Sequence, residues 1–169
     1  MPTSGRSGSR SMASSRSGTR RSTEPASWPS FRRYQEVEVM LIEIHFTADP
    51  IIVPPQVLPS REIGAVVEFH GLVRELEDGA ALDGLFYEAY EPMARRVMGR
   101  HFESLATEFP CAAVLFIHRT GWVPVGEASL FIRVLSAHRG EALEFLAKAI
   151  DLLKHDVPIW KRLTRPEVS

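Results

Sequence analysis

Short apolar segments predict β-strands in the first half of the chain. Residues 41–46 are rich in branched side chains, and residues 65–70 follow the period of two that is typical of a half-buried strand. Residues 82–89 indicate a third strand, which follows a turn at residues 77–79. Residues 50–59 are rich in proline, which cannot donate a hydrogen bond to a strand ladder, so we expect a loop or a sheet edge there.

Two later segments have the spacing of amphipathic helices. The first helix is predicted between Pro92 and Pro110, because apolar side chains and one histidine recur there at every fourth position: Met93, Val97, His101, Leu105 and Phe109. The second is predicted over residues 140–155, with a core stripe made of Ala142, Leu146, Ala149, Ile150 and Leu153. Each helix therefore has one apolar face with which it can pack on a sheet.

The order of these elements predicts the fold class. Two further strands, at residues 112–117 and 128–135, lie between the helices and are joined by a turn region at residues 121–126. Strands and helices therefore do not alternate strictly along the chain. This order favours an α+β fold over a doubly wound parallel sheet.

Composition supports a single globular domain and excludes several other classes of protein. With 169 residues, 44% of them hydrophobic and 24% charged, the chain can bury a substantial core. Its longest apolar runs fall far short of the roughly 20 residues that cross a bilayer, so we expect no membrane association. Cys111 is the only cysteine, which excludes an internal disulfide and a cysteine-based zinc site and leads us to expect a reducing, cytoplasmic location.

The charge is distributed unevenly along the chain. Residues 1–34 have a formal net charge of +6, whereas the remaining residues have a formal net charge of −7. The first segment is rich in arginine, serine and glycine and has too few apolar side chains to offset the entropy of ordering it. We therefore predict a disordered extension over residues 1–39 and a folded domain over residues 40–169.

Three interpretations compete for this extension. It lacks the apolar periodicity of an organelle transit peptide and the interleaved aromatic residues of a nucleic-acid-binding arm. We favour the third interpretation, in which Met40 is the true start of translation and the preceding residues are an over-long reading of the gene.

The polar residues exclude some chemistries and leave a basic site as the candidate. The sequence has no glycine-rich phosphate loop, no nucleophile elbow and no metal-ligand spacing, so neither a metal nor a resident cofactor is predicted. His138 and Arg139 lie between a predicted strand and a predicted helix, where a helix N-terminus can help to bind an anion. Helix capping and surface solvation are the alternative role of this pair.

Lysine is rare in this chain, which draws attention to the positions where it occurs. Only three of the 20 basic residues are lysine: Lys148, Lys154 and Lys161. Lys148 can form a helical ion pair with Glu144. Lys154 and Lys161 flank a predicted break after the second helix, so they could point into one cleft; an ion pair with Asp151 is the alternative for Lys154.

Five sequence runs, in the same order, resemble the family of molybdopterin synthase catalytic (large) subunits. They occupy residues 64–74, 87–94, 117–121 with 126–127, 136–139 and 154–161. The resemblance covers residues 40–162. It implies an α/β-hammerhead-like fold with additional antiparallel strands, which agrees with the α+β prediction.

The resemblance also implies an activity and its partners. Members of this family are sulfurtransferases of molybdenum cofactor biosynthesis that convert cyclic pyranopterin monophosphate into the dithiolene of molybdopterin. The sulfur comes from the C-terminal Gly-Gly thiocarboxylate of a small ubiquitin-like subunit. The large subunits form a homodimer within a heterotetramer, and no cofactor is implied.

Site residues follow from the resemblance by motif. Phe69 and Arg74 match the F-x-G-x-V-R run, and His138 and Arg139 match the S-x-H-R pair; all four are implied to bind the substrate. Lys154 and Lys161 match two pocket lysines that are implied to act in catalysis. A guanidinium suits a phosphate, and an ammonium can stabilise or protonate charge that develops during sulfur transfer. For Arg74 the structural alternative is an ion pair with Glu75 or Glu77.

Two other functions stay open on the sequence. One is a non-catalytic dimeric binding module whose basic arm contacts nucleic acid, although we do not expect nucleic-acid binding. The other is a paralogue of low activity that binds the small partner without turnover.

Overall fold

A computed structural model describes residues 40–77 and 79–163 of the chain, and the extension predicted over residues 1–39 lies outside the described residues. The elements in chain order are β1 (Leu41–Thr47), β2 (Ala65–Leu72), β3 (Leu76–Glu77), β4 (Ala80–Ala81), β5 (Gly84–Ala89), α1 (Glu91–Glu108), β6 (Ala113–Arg119), β7 (Gly121–Pro124), β8 (Ala128–Ser136), α2 (Arg139–Asp156) and β9 (Ile159–Arg162).

A mixed four-stranded sheet carries the core. Its strand order is β1-β6-β8-β2, with β1 parallel to β6 and the other neighbours antiparallel. Ile44, Phe116, Ile132 and Phe69 lie opposite one another in a row across the four strands. The two helices pack against the face to which this row belongs. The predicted α+β class is thereby confirmed.

Helix α1 has the predicted position, but its predicted core stripe is only partly confirmed. Its buried residues are Ala94, Met98, Phe102 and Leu105, whereas Met93 is 50% exposed. Of the predicted stripe, Leu105 is buried, and Val97 and Phe109 are partly buried and pack against the core. Each residue turns the helix by about 100°, so a strict every-fourth row drifts by about 40° per step, and the stripe starts on the solvent side at Met93 before it turns towards the core.

Helix α2 keeps most of its predicted stripe. Ala142, Leu146, Ala149 and Leu153 are buried, and Phe145 joins them. The Phe145 ring stacks on Phe102 of α1 at a centroid distance of 5.7 Å. The contact between these two rings fixes the two helices against each other above the sheet.

A second sheet, which the sequence analysis missed, completes the domain. It has the order β7-β5-β9, where β7 lies in the predicted turn region and β9 follows the predicted helix break. A glycine is required at Gly84, because a Cβ atom there would lie 2.5 Å from the carbonyl oxygen of Val123 on β7. Strands β3 and β4 form a short separate hairpin around the predicted turn.

Candidate active-site pocket

A cavity of about 460 Å³ lies beside the C-terminal end of α2, with walls from both larger sheets. It is lined by Phe69, Gly71, Leu72, Tyr87, His118, Ser129, Leu130, Ile150, Leu153, Lys154, Ile159 and Lys161. Next to the core row, Phe46, His118, Leu130 and Gly71 form a second row across the main sheet. The fourth position of this row is a glycine, where a Cβ atom would lie 3.1 Å from Leu130 Cβ and 3.3 Å from the Phe69 ring, so these two side chains approach the β2 backbone closely.

Lys154 and Lys161, which the sequence analysis singled out, both line this cavity. Helix α2 ends at Asp156, and β9 then runs antiparallel to β5, which places Lys161 directly opposite Tyr87. Lys154 lies in the last turn of α2, where the helix dipole favours a cation. No ion-pair partner of Lys154 is found in residues 40–77 and 79–163.

Glu77 joins the pocket to the Arg74 side chain at its edge. The Glu77 carboxylate accepts a hydrogen bond from Lys161 Nζ, and its Oε2 atom lies 3.3 Å from Arg74 Nη2. The hydrogen bond from Lys161, reinforced by Arg74, lowers the pKa of Glu77 below its ordinary value. Arg74 thus forms the ion pair with Glu77 that was predicted as its structural role. The same carboxylate also pairs with the pocket lysine Lys161.

The remaining predicted site residues separate into two places. Phe69 lines the cavity, at the β2 end of the core row. His138 and Arg139 are exposed at the N-terminus of α2. They precede Lys154 by a helix length of about 22 Å, at 1.5 Å per residue. A single chain therefore does not bring this pair to the pocket.

His118 is a pocket residue that the sequence analysis left without a role. Its side chain is buried, its Nδ1 atom lies 2.8 Å from the carbonyl oxygen of Arg119, and its ring packs edge-on against Tyr87 at 5.3 Å. Burial lowers the pKa of His118 to about 4. The signal in the sequence was a histidine at the end of the apolar strand β6.

Other candidate chemistries find no support in the described part of the chain. No group of three or more histidine, cysteine or acidic residues there could hold a metal ion. Nor does that part contain a helix long and apolar enough to cross a membrane. Cys111 is buried away from the pocket, and burial raises the pKa of its thiol to about 11. It is thus a core residue rather than a nucleophile.

Several known proteins are similar to this chain in sequence. The family model described as MoaE protein matches residues 46–156. The molybdopterin synthase catalytic subunit of Homo sapiens is 39% identical over 144 residues, which cover 83% of this chain and 77% of that protein. The subunit of Bacillus subtilis is 40% identical over 102 residues, or 60% of this chain and 65% of that protein.

Solved structures give the same result. Molybdopterin synthase from Staphylococcus aureus matches with a TM-score of 0.61 at 29% identity, over 79% of this chain and 95% of that one. A complex of subunits 1 and 2 of the molybdopterin-converting factor from Helicobacter pylori contains a chain that matches with a TM-score of 0.52 at 25% identity, over 71% of this chain and 82% of that one. The chain therefore belongs to the MoaE family of molybdopterin synthase catalytic subunits.

Proposed function

We propose that this chain is the catalytic subunit of a molybdopterin synthase and acts as a sulfurtransferase. In this role it takes sulfur from the C-terminal thiocarboxylate of a small ubiquitin-like subunit and converts cyclic pyranopterin monophosphate into a dithiolene. The observation that carries the proposal is the convergence of Lys154 and Lys161, from two separate elements, in one cavity. The convergence occurs in a member of a family whose named relatives are catalytic subunits.

The cavity suits a heterocycle that bears a negative charge. Phe69, Leu130 and Leu153 give it apolar walls, and the two lysines add positive charge. Arg74 and Lys161 form ion pairs with the same carboxylate, that of Glu77. Arg74 therefore supplies a guanidinium at the edge of the pocket that can bind a phosphate. We assign Phe69 and Arg74 to substrate binding on these grounds.

The lysines act on charge that develops during transfer. Attack by the thiocarboxylate sulfur forms a thioester between the small subunit and the pterin and passes the negative charge to the substrate. Water then cleaves the acyl–sulfur bond through an oxyanion, which leaves the sulfur on the pterin and returns the small subunit as a carboxylate. An ammonium can stabilise or protonate the charge in each step. Lys154 is available for this task, since it has no ion-pair partner in the described segments. Lys161 must first exchange its contact with Glu77 for one with the reacting groups.

His138 and Arg139 bind substrate only if a second copy of the chain brings them to the pocket. They lie at the far end of α2 from Lys154, so one chain cannot place all three on one ligand. A homodimer, with one small subunit bound to each copy, resolves this separation. The Helicobacter pylori complex of subunits 1 and 2 supports the small-subunit part of this assembly.

Mixed dimers test the shared pocket. Lys154→Ala and Arg139→Ala are each expected to abolish activity, but mixing the two proteins creates dimers with one intact pocket. Random exchange should restore about a quarter of the wild-type rate, because half of the dimers are mixed and each has one good site. No recovery in dimers whose exchange has been verified would place the pair outside the pocket.

Product formation tests the whole proposal. The chain is mixed with its thiocarboxylated small subunit and cyclic pyranopterin monophosphate, and the dithiolene is quantified after trapping. We expect stoichiometric sulfur transfer. Binding of the small subunit without any product would favour the low-activity paralogue. Affinity for nucleic acid that falls steeply with salt would favour the binding module.

A further inference from the structure

The wall of the pocket contains a histidine whose protonation state is fixed by the fold. His118 lies on β6, is only 4% exposed, and has its Nδ1 atom 2.8 Å from the backbone oxygen of Arg119. A carbonyl oxygen can only accept a hydrogen bond, so Nδ1 must be the nitrogen that carries the proton. The other ring nitrogen, Nε2, therefore presents a lone pair.

This lone pair has no partner within the described residues, and it is not sealed off. The fully enclosed side-chain nitrogen and oxygen atoms that lack a hydrogen-bond partner there are His101 Nε2 and Arg119 Nε, and His118 Nε2 is not one of them. His118 also lines the cavity. The accessible surface of Nε2 therefore opens into the pocket.

The surroundings keep this imidazole neutral. Burial lowers the pKa of His118 to about 4, although the contact of its ring with the carbonyl oxygen of Arg119 acts in the opposite direction. The carboxylate of Glu77 is already paired with Lys161. At neutral pH His118 can thus neither donate a proton from Nε2 nor bind an anion there.

This nitrogen differs from the other polar side-chain groups that line the pocket. The lysines are donors only, and the Ser129 hydroxyl donates to the carbonyl oxygen of Gly71 at 3.2 Å. The hydroxyl oxygens of Ser129 and Tyr87 can accept a hydrogen bond but each also carries a proton, whereas Nε2 can only accept. A ligand that has both a negative group and an N–H donor would find cations for the first at the lysines and an obligate acceptor for the second at His118.

We propose that His118 Nε2 accepts a hydrogen bond from a ring N–H or amino group of a nitrogen heterocycle bound in this pocket, which makes His118 a specificity-determining residue. The identity of the heterocycle as a pterin rests on the proposed function. A pterin ring carries several such donors. A heterocycle whose edge lacks N–H donors would leave Nε2 without a hydrogen bond.

Two variants at this position separate recognition from folding. His118→Phe keeps a flat ring but removes both nitrogens. His118→Asn keeps an amide N–H that can donate to Arg119 but has no acceptor at the position of Nε2. His45→Asn is the matched control, since His45 is exposed on the adjacent strand β1 and does not line the pocket.

The readouts are the KM for cyclic pyranopterin monophosphate and the ¹⁵N resonance of His118 Nε2. We expect both His118 variants to raise KM by about tenfold or more, the effect of leaving one buried donor unpaired, while affinity for the small subunit is unchanged. In the wild type, adding the pterin should move the Nε2 resonance upfield, as acceptance of a hydrogen bond requires. The control should behave like the wild type.

The outcomes distinguish this inference from the proposed function. Wild-type turnover together with an unchanged KM in the folded Asn variant, or an Nε2 resonance that does not move on pterin binding, would overturn the inference alone. Failure of the wild type to form any dithiolene would overturn the proposed function and, with it, the pterin assignment.

Discussion

Glu77→Gln probes the carboxylate that pairs with both Arg74 and Lys161. The two cations are 76% and 53% exposed, so each ion pair is partly screened and the two together contribute about 0.5–1 kcal/mol to folding. If the substrate must break these two ion pairs in order to bind, the same free energy opposes substrate binding. Removing the negative charge should then lower KM for the anionic substrate about two- to fivefold, at 1.4 kcal/mol per factor of ten.

The pH dependence of unfolding gives an independent readout of the same pairs. The folded-state pKa of Glu77 lies below its ordinary value of 4.5, so its contribution is complete above that value and disappears as pH falls through the lowered pKa. Wild type and variant should therefore differ in urea unfolding at pH 7 and converge as the pH falls through the lowered pKa of Glu77.

Glu75→Gln is the matched control for this experiment, because Glu75 is exposed and its side chain makes no ion pair in the described segments. We expect it to change neither KM nor stability. A Glu77→Gln protein with a raised KM would refute the competition argument and show that Glu77 orients Lys161 for binding. An unchanged KM would place both cations away from the substrate.

Three further predictions concern the core and the thiol. Phe102→Ala removes a fully buried ring that contacts Phe116 and Phe145, and should cost about 3–5 kcal/mol in urea unfolding; a loss below 1 kcal/mol would contradict the packing. Gly84→Ala should destabilise the domain by about 1–3 kcal/mol because of the clash with β7, while Gly140→Ala, which meets open space, should not destabilise it. Cys111 should stay unreactive towards a disulfide reagent at pH 8 until the protein is unfolded; rapid native labelling would contradict its burial.

The helices and the main strands could be predicted because each is long enough to show its period. Helix α2 began and ended within one residue of its predicted bounds, and its stripe pointed to the core as expected. For α1 the position was predictable but the buried face was predicted only in part, because Ala94, Met98 and Phe102 lay outside the predicted stripe. A row of every fourth residue turns slowly around the helix, so it stays on one face for only a few turns. The face that is buried depends on which side of the helix packs against the sheet.

Strands β7 and β9 could not be predicted, and part of the site depends on them. Each has four residues, too few for a period, and both exist because β5 offers two free edges. Only the pairing of β9 with β5 determines that Lys161 faces the cavity. The rarity of lysine in the sequence indicated which residue to examine, but not where it would point.

The properties of His118 needed the fold. A histidine at a strand end can be exposed or buried, and the contact of its Nδ1 atom with the carbonyl oxygen of the next residue, Arg119, depends on the ring orientation that packing imposes. The separation of the His138–Arg139 pair from Lys154 follows already from the predicted helix over residues 140–155, which α2 confirms.

The central claim is that a lysine ammonium acts on the reacting groups within the pocket, and a comparison of two arginine variants on one helix tests it most directly. Lys154 lines the cavity, whereas Lys148 is exposed on the same helix and does not. Arginine keeps the charge but is bulkier and does not readily give up a proton. In a single-turnover assay of dithiolene formation, Lys154→Arg should lower the rate by about 10²-fold or more, with its melting temperature almost unchanged. Lys148→Arg should react like the wild type. Equal rates for both variants would contradict the claim and leave electrostatic attraction as the role of Lys154.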